Sequence, residues 1–195
     1  MNDISPFSNV IERFQKFGKQ LSRYISASAN SYLNNDAKNY NANNVLDSSS
    51  SIYHSDNILS WIKIDFIKYS VRVENVRIQV STNRDPMSWV IEGSTDGITF
   101  ATIHENKDIA ICDIWNEAQT YHCAYQAYKT FDVKHGIYKS IRLRQTGQDS
   151  GLLNYLVIGS ISVYGNILMK CANSRCVHQS IKTFHLLVVT LQTST

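Results

Sequence analysis

The sequence predicts an all-β protein built as a two-layer sandwich, and three observations support this fold class. Between residues 60 and 164, short segments rich in Val, Ile, Tyr and Trp alternate apolar with polar residues. Asn, Asp, Ser and Gly cluster between these segments and favour turns there. Helical periodicity is almost absent from this region, so the strands must bury their apolar faces against one another.

Composition narrows the class of protein. The chain has 195 residues, 43% of them hydrophobic, which is enough to fill one core and argues against global disorder. Its net charge of +3 is too small to indicate a nucleic-acid partner. The first residues lack a signal-peptide pattern, and the longest apolar run, residues 186–189, is too short to cross a bilayer. We therefore expect a soluble, cytoplasmic protein whose cysteines are reduced thiols: Cys112, Cys123, Cys171 and Cys176.

Residues 1–27 are predicted to hold an N-terminal amphipathic α-helix that extends from residue 4 to residue 25. Ser5 can cap the first turn, and Pro6 suits the first helical position because its nitrogen needs no helical partner. Apolar residues recur along one face at steps of three and four: Phe7, Val10, Ile11, Phe14, Phe17, Leu21, Tyr24 and Ile25. This face can pack on its own domain, on a partner protein or, with its basic flanks, on an anionic membrane.

The remaining elements follow in chain order. The Ser- and Asn-rich stretch from residue 26 to residue 60 is predicted to begin with an edge strand over residues 26–30 and to contain a loop over residues 39–51. Alternation predicts strands over residues 61–66, 71–80, 138–145 and 157–165, with a further candidate over residues 121–131. The tail over residues 167–195 loses the pattern and is expected to be poorly ordered.

The clearest unit is a β-hairpin around an Asp96-Gly97 turn. Trp89 is the largest apolar anchor of its first strand, and Glu92 lies on the opposite face of that strand. Gly tolerates a positive φ and Asp can bond its own backbone, so the pair favours a tight turn. Residues 98–100 have strand chemistry and are predicted to begin the second strand at once.

Three phrases of the sequence together resemble the discoidin domain, also called the coagulation factor 5/8 type C domain. They are NVLD (residues 44–47) leading to SWIKIDF (60–66), SWVIEGSTDGITF (88–100) and IRLRQTG (141–147). The resemblance covers residues 28–166 and looks greatest to the divergent intracellular branch abundant in protozoa. It implies a galactose-binding-like jelly-roll β-sandwich with its ligand loops clustered at one end.

The resemblance further implies a non-catalytic module that binds a carbohydrate or another small polar ligand. The loops expected to do so are residues 47–57, 82–88 and 147–154. They supply one stacking ring and several polar groups, which are the candidate ligand-binding residues Tyr53, His54, Asn83, Arg84, Gln148 and Asp149. Residues 82–88 are mainly polar, so insertion into a membrane is not expected.

A structural calcium ion is an open alternative, because many relatives hold one in an early loop rich in Asp and Asn. The corresponding oxygen ligands here are Asp36, Asn39, Asn43 and Asp47. A solvated loop explains the same four residues. No cysteine lies near residue 28, so the disulfide that joins the two ends of secreted relatives is not expected.

No enzymatic activity is expected, since the sequence has no nucleophile elbow, phosphate-binding loop or dinucleotide fingerprint. Glu92 and Asp65 occupy outward strand positions, where pairing with Arg142 and Arg144 is favoured over acid–base catalysis. Trp115 lies outside a clear strand; core packing is favoured for it, with stacking on a ligand as the alternative. The alternative function is a protein-interaction adaptor that uses the N-terminal helix or a loop face.

Overall fold

A computed structural model of the chain describes residues 9–16, 21–46, 53–57, 59–80, 85–111 and 127–169. These residues form one α-helix, α1 (Val10–Lys16), three short 3₁₀ turns (Leu21–Arg23, Leu33–Asn35 and Ala42–Leu46) and ten β-strands. In chain order the strands are β1 (Ile25–Ala29), β2 (Tyr53–Ser55), β3 (Trp61–Phe66), β4 (Tyr69–Gln79), β5 (Trp89–Ser94), β6 (Ala101–Asn106), β7 (Tyr128–Tyr138), β8 (Ser140–Gln145), β9 (Leu156–Ile158) and β10 (Ser160–Met169).

The strands form two main antiparallel sheets and one small strand pair. The larger sheet has the order β1-β3-β8-β5-β6, the smaller sheet has the order β10-β4-β7, and β2 pairs with β9. Side chains from both main sheets share one core. In it the rings of Trp89 on β5 and Phe131 on β7 pack edge to face, with their centroids 4.7 Å apart. The predicted all-β jelly-roll sandwich is therefore confirmed as the fold class.

Alternation along β3 positions the core as the sequence predicts. Ile62, Ile64 and Phe66 are at most 2% exposed, whereas the residues between them are partly exposed on the outer face. Cross-strand register then places Lys63 opposite Arg142 of β8 on that outer face. The larger sheet thus has an apolar inner face and an outer face that carries charged side chains.

The strand predicted to begin at Val71 is present as one long strand, β4. Val71 and Val73 point to the core in its first half, and Val76 and Ile78 do so in its second half. The spacing changes from two to three residues because of a β-bulge opposite β10, where Glu74 lies between the residues that pair with Gly165 and Tyr164. The extra residue, Glu74, lets both halves face the core.

The predicted hairpin is present as β5 and β6, but its second strand begins later than predicted. The Asp96 carboxylate accepts backbone hydrogen bonds from Ile98 and Thr99, both at 2.8 Å, and these bonds lower its pKa. Gly97 has a φ of +85°, a conformation that favours glycine. The loop is held in this form as far as β6, so Ile98 is 84% exposed and the prediction of a strand from Ile98 is wrong.

The described part of the N-terminal helix is short and packs on its own sandwich. Asn9 caps α1, because its side-chain oxygen accepts a hydrogen bond from the Ile11 nitrogen at 3.0 Å. Val10 and Ile11 are at most 2% exposed, and Asn9 forms a β-bridge with Tyr164 of β10. None of the helices among the described residues has the length and apolar character needed to cross a membrane.

Several predicted boundaries differ from the observed ones. Ile25 begins β1, so the helix prediction is wrong there, and the predicted domain boundary after residue 27 falls inside that strand. Lys139 separates β7 from β8, and Gly159 separates β9 from β10, where continuous strands were expected. The predictions for Ser5, Pro6, Trp115, the four cysteines and residues 170–195 lie outside the described residues.

Candidate functional site

Three long connections meet at one end of the sandwich. Register places Trp89 at the start of β5 opposite Asn106 at the end of β6 and Gln145 at the end of β8. The connections that follow or precede these strands therefore emerge together. We refer to the described residues 85–88, 107–111 and 146–155 as the loop end.

Ser88 joins the first of these segments to the other two. Its hydroxyl donates to Asp108 Oδ1 at 2.6 Å and accepts from the Asp108 nitrogen at 3.0 Å. Its carbonyl accepts from the nitrogens of Thr146 at 2.9 Å and Gly147 at 3.2 Å. A Cβ atom on Gly147 would lie 2.8 Å from Ser88 Cβ, so this close approach of two loops requires glycine.

Asn106 makes a second link. Its amide nitrogen donates to the carbonyls of Met87 at 2.7 Å and Ile109 at 2.6 Å, and the side chain is largely buried. The Ile109 nitrogen also donates to the Met87 carbonyl at 3.2 Å. A buried amide that satisfies two loop carbonyls fixes the path of both segments.

Asp149, a predicted ligand residue, holds the third segment in shape. It is 1% exposed, and its Oδ1 accepts from the nitrogens of Gly151 at 2.9 Å and Leu153 at 2.8 Å. The next residue, Ser150, donates its nitrogen to the Asp85 carbonyl at 2.9 Å. Asp149 therefore positions the loop, and its buried carboxylate does not present itself to a ligand at the surface.

The loop end presents both polar and apolar groups on this fixed frame. Gln148 and Thr146 are exposed, as predicted for Gln148. Leu152 is 75% exposed with a φ of +59°, and Ile109 is 54% exposed. An amide and aliphatic groups that are exposed on the same loop end can contact the hydroxyls and the C–H faces of a small polar ligand.

The other predicted ligand residues have different placements. Tyr53 is fully buried in β2, donates its hydroxyl to the Ser31 carbonyl at 2.9 Å, and lies edge-on to Tyr32. Burial raises the pKa of Tyr53 to about 12. This ring has no exposed face for stacking, so the placement does not favour its predicted role. His54 lies on β2 opposite Val157, whereas Asn83 and Arg84 lie outside the described residues.

The predicted calcium ligands are engaged within the chain. The Asp36 carboxylate accepts from the nitrogens of Lys38 and Asn39, both at 3.1 Å, and from the Asn39 amide at 2.6 Å. Asn43 Oδ1 accepts from the Ala27 nitrogen at 3.0 Å, and Asp47 lies outside the described residues. No cluster of three His, Cys, Asp or Glu side chains suited to a metal occurs within the described segments. Calcium binding stays a prediction.

The outer face of the larger sheet carries the predicted Arg–Glu pairing. Arg142 Nε donates to Glu92 Oε2 at 2.6 Å, and Arg144 Nη2 donates to Glu92 Oε1 at 2.9 Å. The pairing is confirmed, but Glu92 is only 5% exposed rather than solvated. Burial raises the pKa of Glu92, and the hydrogen bonds and charges of the two arginines outweigh this effect, so its pKa lies below the ordinary value.

Sequence reasoning missed Ser88 and Asn106, which connect the loops. Both are common polar residues at strand ends, and their roles depend on which strands are neighbours in the sheet. The Asn–Lys–Asp sequence that begins at the last residue of β6 has the composition of a solvated turn. No local feature of the sequence indicates that Asp108 bonds to Ser88.

The fold resembles solved carbohydrate-binding modules of family 32. The CBM32-3 module of a family 31 glycoside hydrolase from Clostridium perfringens has a TM-score of 0.58 and 19% identity, covering 74% of this chain and 92% of that one. The family 32 module of C. perfringens NanJ, solved with galactose, has a TM-score of 0.53 and 15% identity, covering 72% and 93%. The C. perfringens module CpGH89CBM32-5, solved with GalNAc-β-1,3-galactose, has a TM-score of 0.55 and 15% identity, covering 72% and 95%.

At these identities the similarity establishes the fold alone. These modules share the discoidin, galactose-binding-like fold, so the predicted fold is confirmed and the protozoan branch stays a prediction. No protein-family model matches the sequence, and no curated protein matches it.

Proposed function

We propose that this chain is a non-catalytic carbohydrate-binding module that takes a small sugar at the loop end. The observation that carries the proposal is the buried polar frame of Ser88, Asn106 and Asp149, which fixes three loops against one another. Such a frame holds exposed groups in place before a ligand arrives, which lowers the entropic cost of binding. Solved proteins of the same fold carry galactose and GalNAc-β-1,3-galactose, which supports a galactose-type ligand.

In this proposal the exposed amide of Gln148 donates to and accepts from sugar hydroxyls, and Leu152 or Ile109 lies against the C–H face of the ring. Arg84 and Asn83 belong to the segment that precedes the frame, and they add polar contacts. Asp149 acts as a positioning residue. Because its carboxylate already holds two backbone nitrogens, proton transfer is not its role.

The experiment is isothermal titration calorimetry of the full chain with galactose and with GalNAc-β-1,3-galactose. Saturable binding is expected, and Gln148→Ala and Arg84→Ala should each weaken it by about fivefold or more, the contribution of one or two hydrogen bonds. Thr95→Ala, at an exposed position in the opposite β5–β6 loop, is the matched control and should leave the Kd unchanged.

Two results would contradict the proposal. One is the absence of saturable binding across a glycan array that includes both sugars. The other is an equal loss of affinity in Thr95→Ala and in the loop-end variants. Turnover of either glycan by the purified chain would overturn the non-catalytic part alone.

A further inference from the structure

The outer face of the smaller sheet carries a second cluster of binding chemistry, made of side chains that are not part of the loop end. Register places Ser162, Arg77 and Thr130 side by side across β10, β4 and β7. The guanidinium carbon of Arg77 lies 4.5 Å from the ring centroid of Tyr128 and 5.2 Å from that of Tyr164. We call these five residues the tyrosine–arginine face.

Arg77 is held there without a counter-charge. Its Nε donates to Thr130 Oγ1 at 3.2 Å, and its terminal nitrogens have no hydrogen-bond acceptor within the described part of the chain. No described carboxylate forms an ion pair with it. A guanidinium that rests on aromatic rings keeps the donors at its edge, and a planar pair of such donors matches a carboxylate.

The surroundings favour approach of an anion from one side. Two carboxylates, Asp132 and Glu12, lie on the Tyr164 side of the guanidinium. On the Tyr128 side, register pairs Tyr128 with the uncharged Gln79. Like charges repel, so a ligand carboxylate is accepted over the Tyr128 side and rejected from the other.

The exposed fractions of the two tyrosine rings also favour binding on the Tyr128 side. Tyr164 is 8% exposed beside the N-terminal segment, whereas Tyr128 is 57% exposed. An exposed phenol ring next to a fixed hydrogen-bond donor offers an apolar surface to the C–H face of a sugar and a polar edge to its substituents. From this juxtaposition we propose that the tyrosine–arginine face binds an acidic saccharide, with a sugar carboxylate on Arg77 and the sugar ring over Tyr128.

The test is calorimetry of the full chain with trigalacturonic acid and with its fully methyl-esterified, uncharged form. The acid should bind saturably and more weakly as sodium chloride is raised, while the ester should bind at least about tenfold more weakly, the contribution of a charge-assisted hydrogen bond. Arg77→Gln should weaken binding of the acid by about tenfold, and Tyr128→Ala by about fivefold.

Arg72→Gln is the matched control, because Arg72 is an exposed arginine on the same strand outside the cluster, and it should change the Kd less than about twofold. Gln148→Ala separates this surface from the loop end and should also leave binding of the acid unchanged. If Arg77→Gln does not fold, Tyr128→Ala carries the test, since it changes an exposed side chain. The proposal is overturned if the native chain does not bind the acid, if the ester binds equally well, or if Gln148→Ala or Arg72→Gln has the larger effect.

Discussion

The outer faces of the two sheets differ in whether their arginines have a carboxylate partner. On the larger sheet, Arg142 and Arg144 converge on one buried carboxylate, Glu92. On the smaller sheet, Arg77 lies between two tyrosine rings and donates to a hydroxyl. In the first arrangement one carboxylate neutralises the arginines and links β5 to β8, although Arg142 also lies 4.0 Å from the ring centroid of Phe100. The second retains its charge and most of its donors, so we infer that the larger sheet's face stabilises the fold and the smaller sheet's face can bind.

Of the substitutions that test this comparison, Glu92→Gln is expected to lower the free energy of unfolding most. The substitution leaves two guanidinium groups facing each other without a counter-charge, on a strand whose other face is core. Since the arginines are 21% and 30% exposed, water offsets part of this cost, and the free energy of unfolding should fall by about 2–3 kcal/mol. Urea unfolding measures it.

Glu105→Gln is the control for this substitution. Glu105 is half exposed on the neighbouring strand β6 and pairs only with an exposed lysine, so its loss should cost less than about 0.5 kcal/mol. Equal losses in the two variants would mean that the Glu92 cluster does not stabilise the fold.

The same cluster should make stability depend on pH in acid. The pKa of Glu92 is lowered in the folded protein from its ordinary value of 4.5, so its stabilisation is complete above that pH and is lost as the pH falls through the folded value. The difference in unfolding free energy between the native chain and Glu92→Gln should therefore be constant from pH 7 to pH 5 and shrink below it. A difference that grows toward acid would contradict the lowered pKa.

A smaller effect is expected from Arg77→Gln. The native contacts of Arg77 are two cation–π interactions and one neutral-acceptor hydrogen bond on a partly exposed face, so unfolding free energy should fall by only about 0.5–1 kcal/mol. Urea unfolding of Arg77→Gln and Glu92→Gln under the same conditions measures the two losses and tests the contrast directly. A loss as large as that of Glu92→Gln would assign Arg77 a structural role and remove the contrast between the faces.

The smallest effect on stability is expected from Tyr128→Ala. The ring is 57% exposed, so the change should lie within about 0.5 kcal/mol of the native chain in thermal or urea unfolding. Tyr164→Ala is the paired substitution, because the same type of ring is 8% exposed there and its loss should cost several times more. Similar costs at both positions would show that Tyr128 is part of the core.

The local alternation of apolar and polar residues is sufficient to predict most strands of the sandwich. Alternation in β3, β4, β5 and β8 predicts which residues face the core, and the three-residue spacing from Val73 to Val76 corresponds to the bulge opposite β10. The same approach was wrong at Ile98, because one Asp96 side chain keeps the backbone out of the sheet. It also interpreted Tyr53 as a surface ring, since β2 is stabilised by pairing with β9, about a hundred residues away in the chain.

The sites were less predictable than the fold, because they depend on register. Gln148 was expected to be exposed and Asp149 to belong to the same loop, and both lie there. That Asp149 is buried follows from hydrogen bonds within the loop, which composition does not reveal. Arg77 meets Tyr128 and Tyr164 only when β4 lies between β7 and β10, and no spacing in the sequence encodes that order.

Asn43, one of the predicted calcium ligands, also covers part of the edge of the larger sheet. β1 is an edge strand of the larger sheet, and an edge strand offers unpaired backbone N–H and C=O groups with which a second chain can pair. The Asn43 amide oxygen accepts the Ala27 nitrogen in the middle of that strand, in the place that the carbonyl of an incoming strand would take. One short polar side chain thus protects this border of the sheet against self-association, and truncating it would expose a template for aggregation.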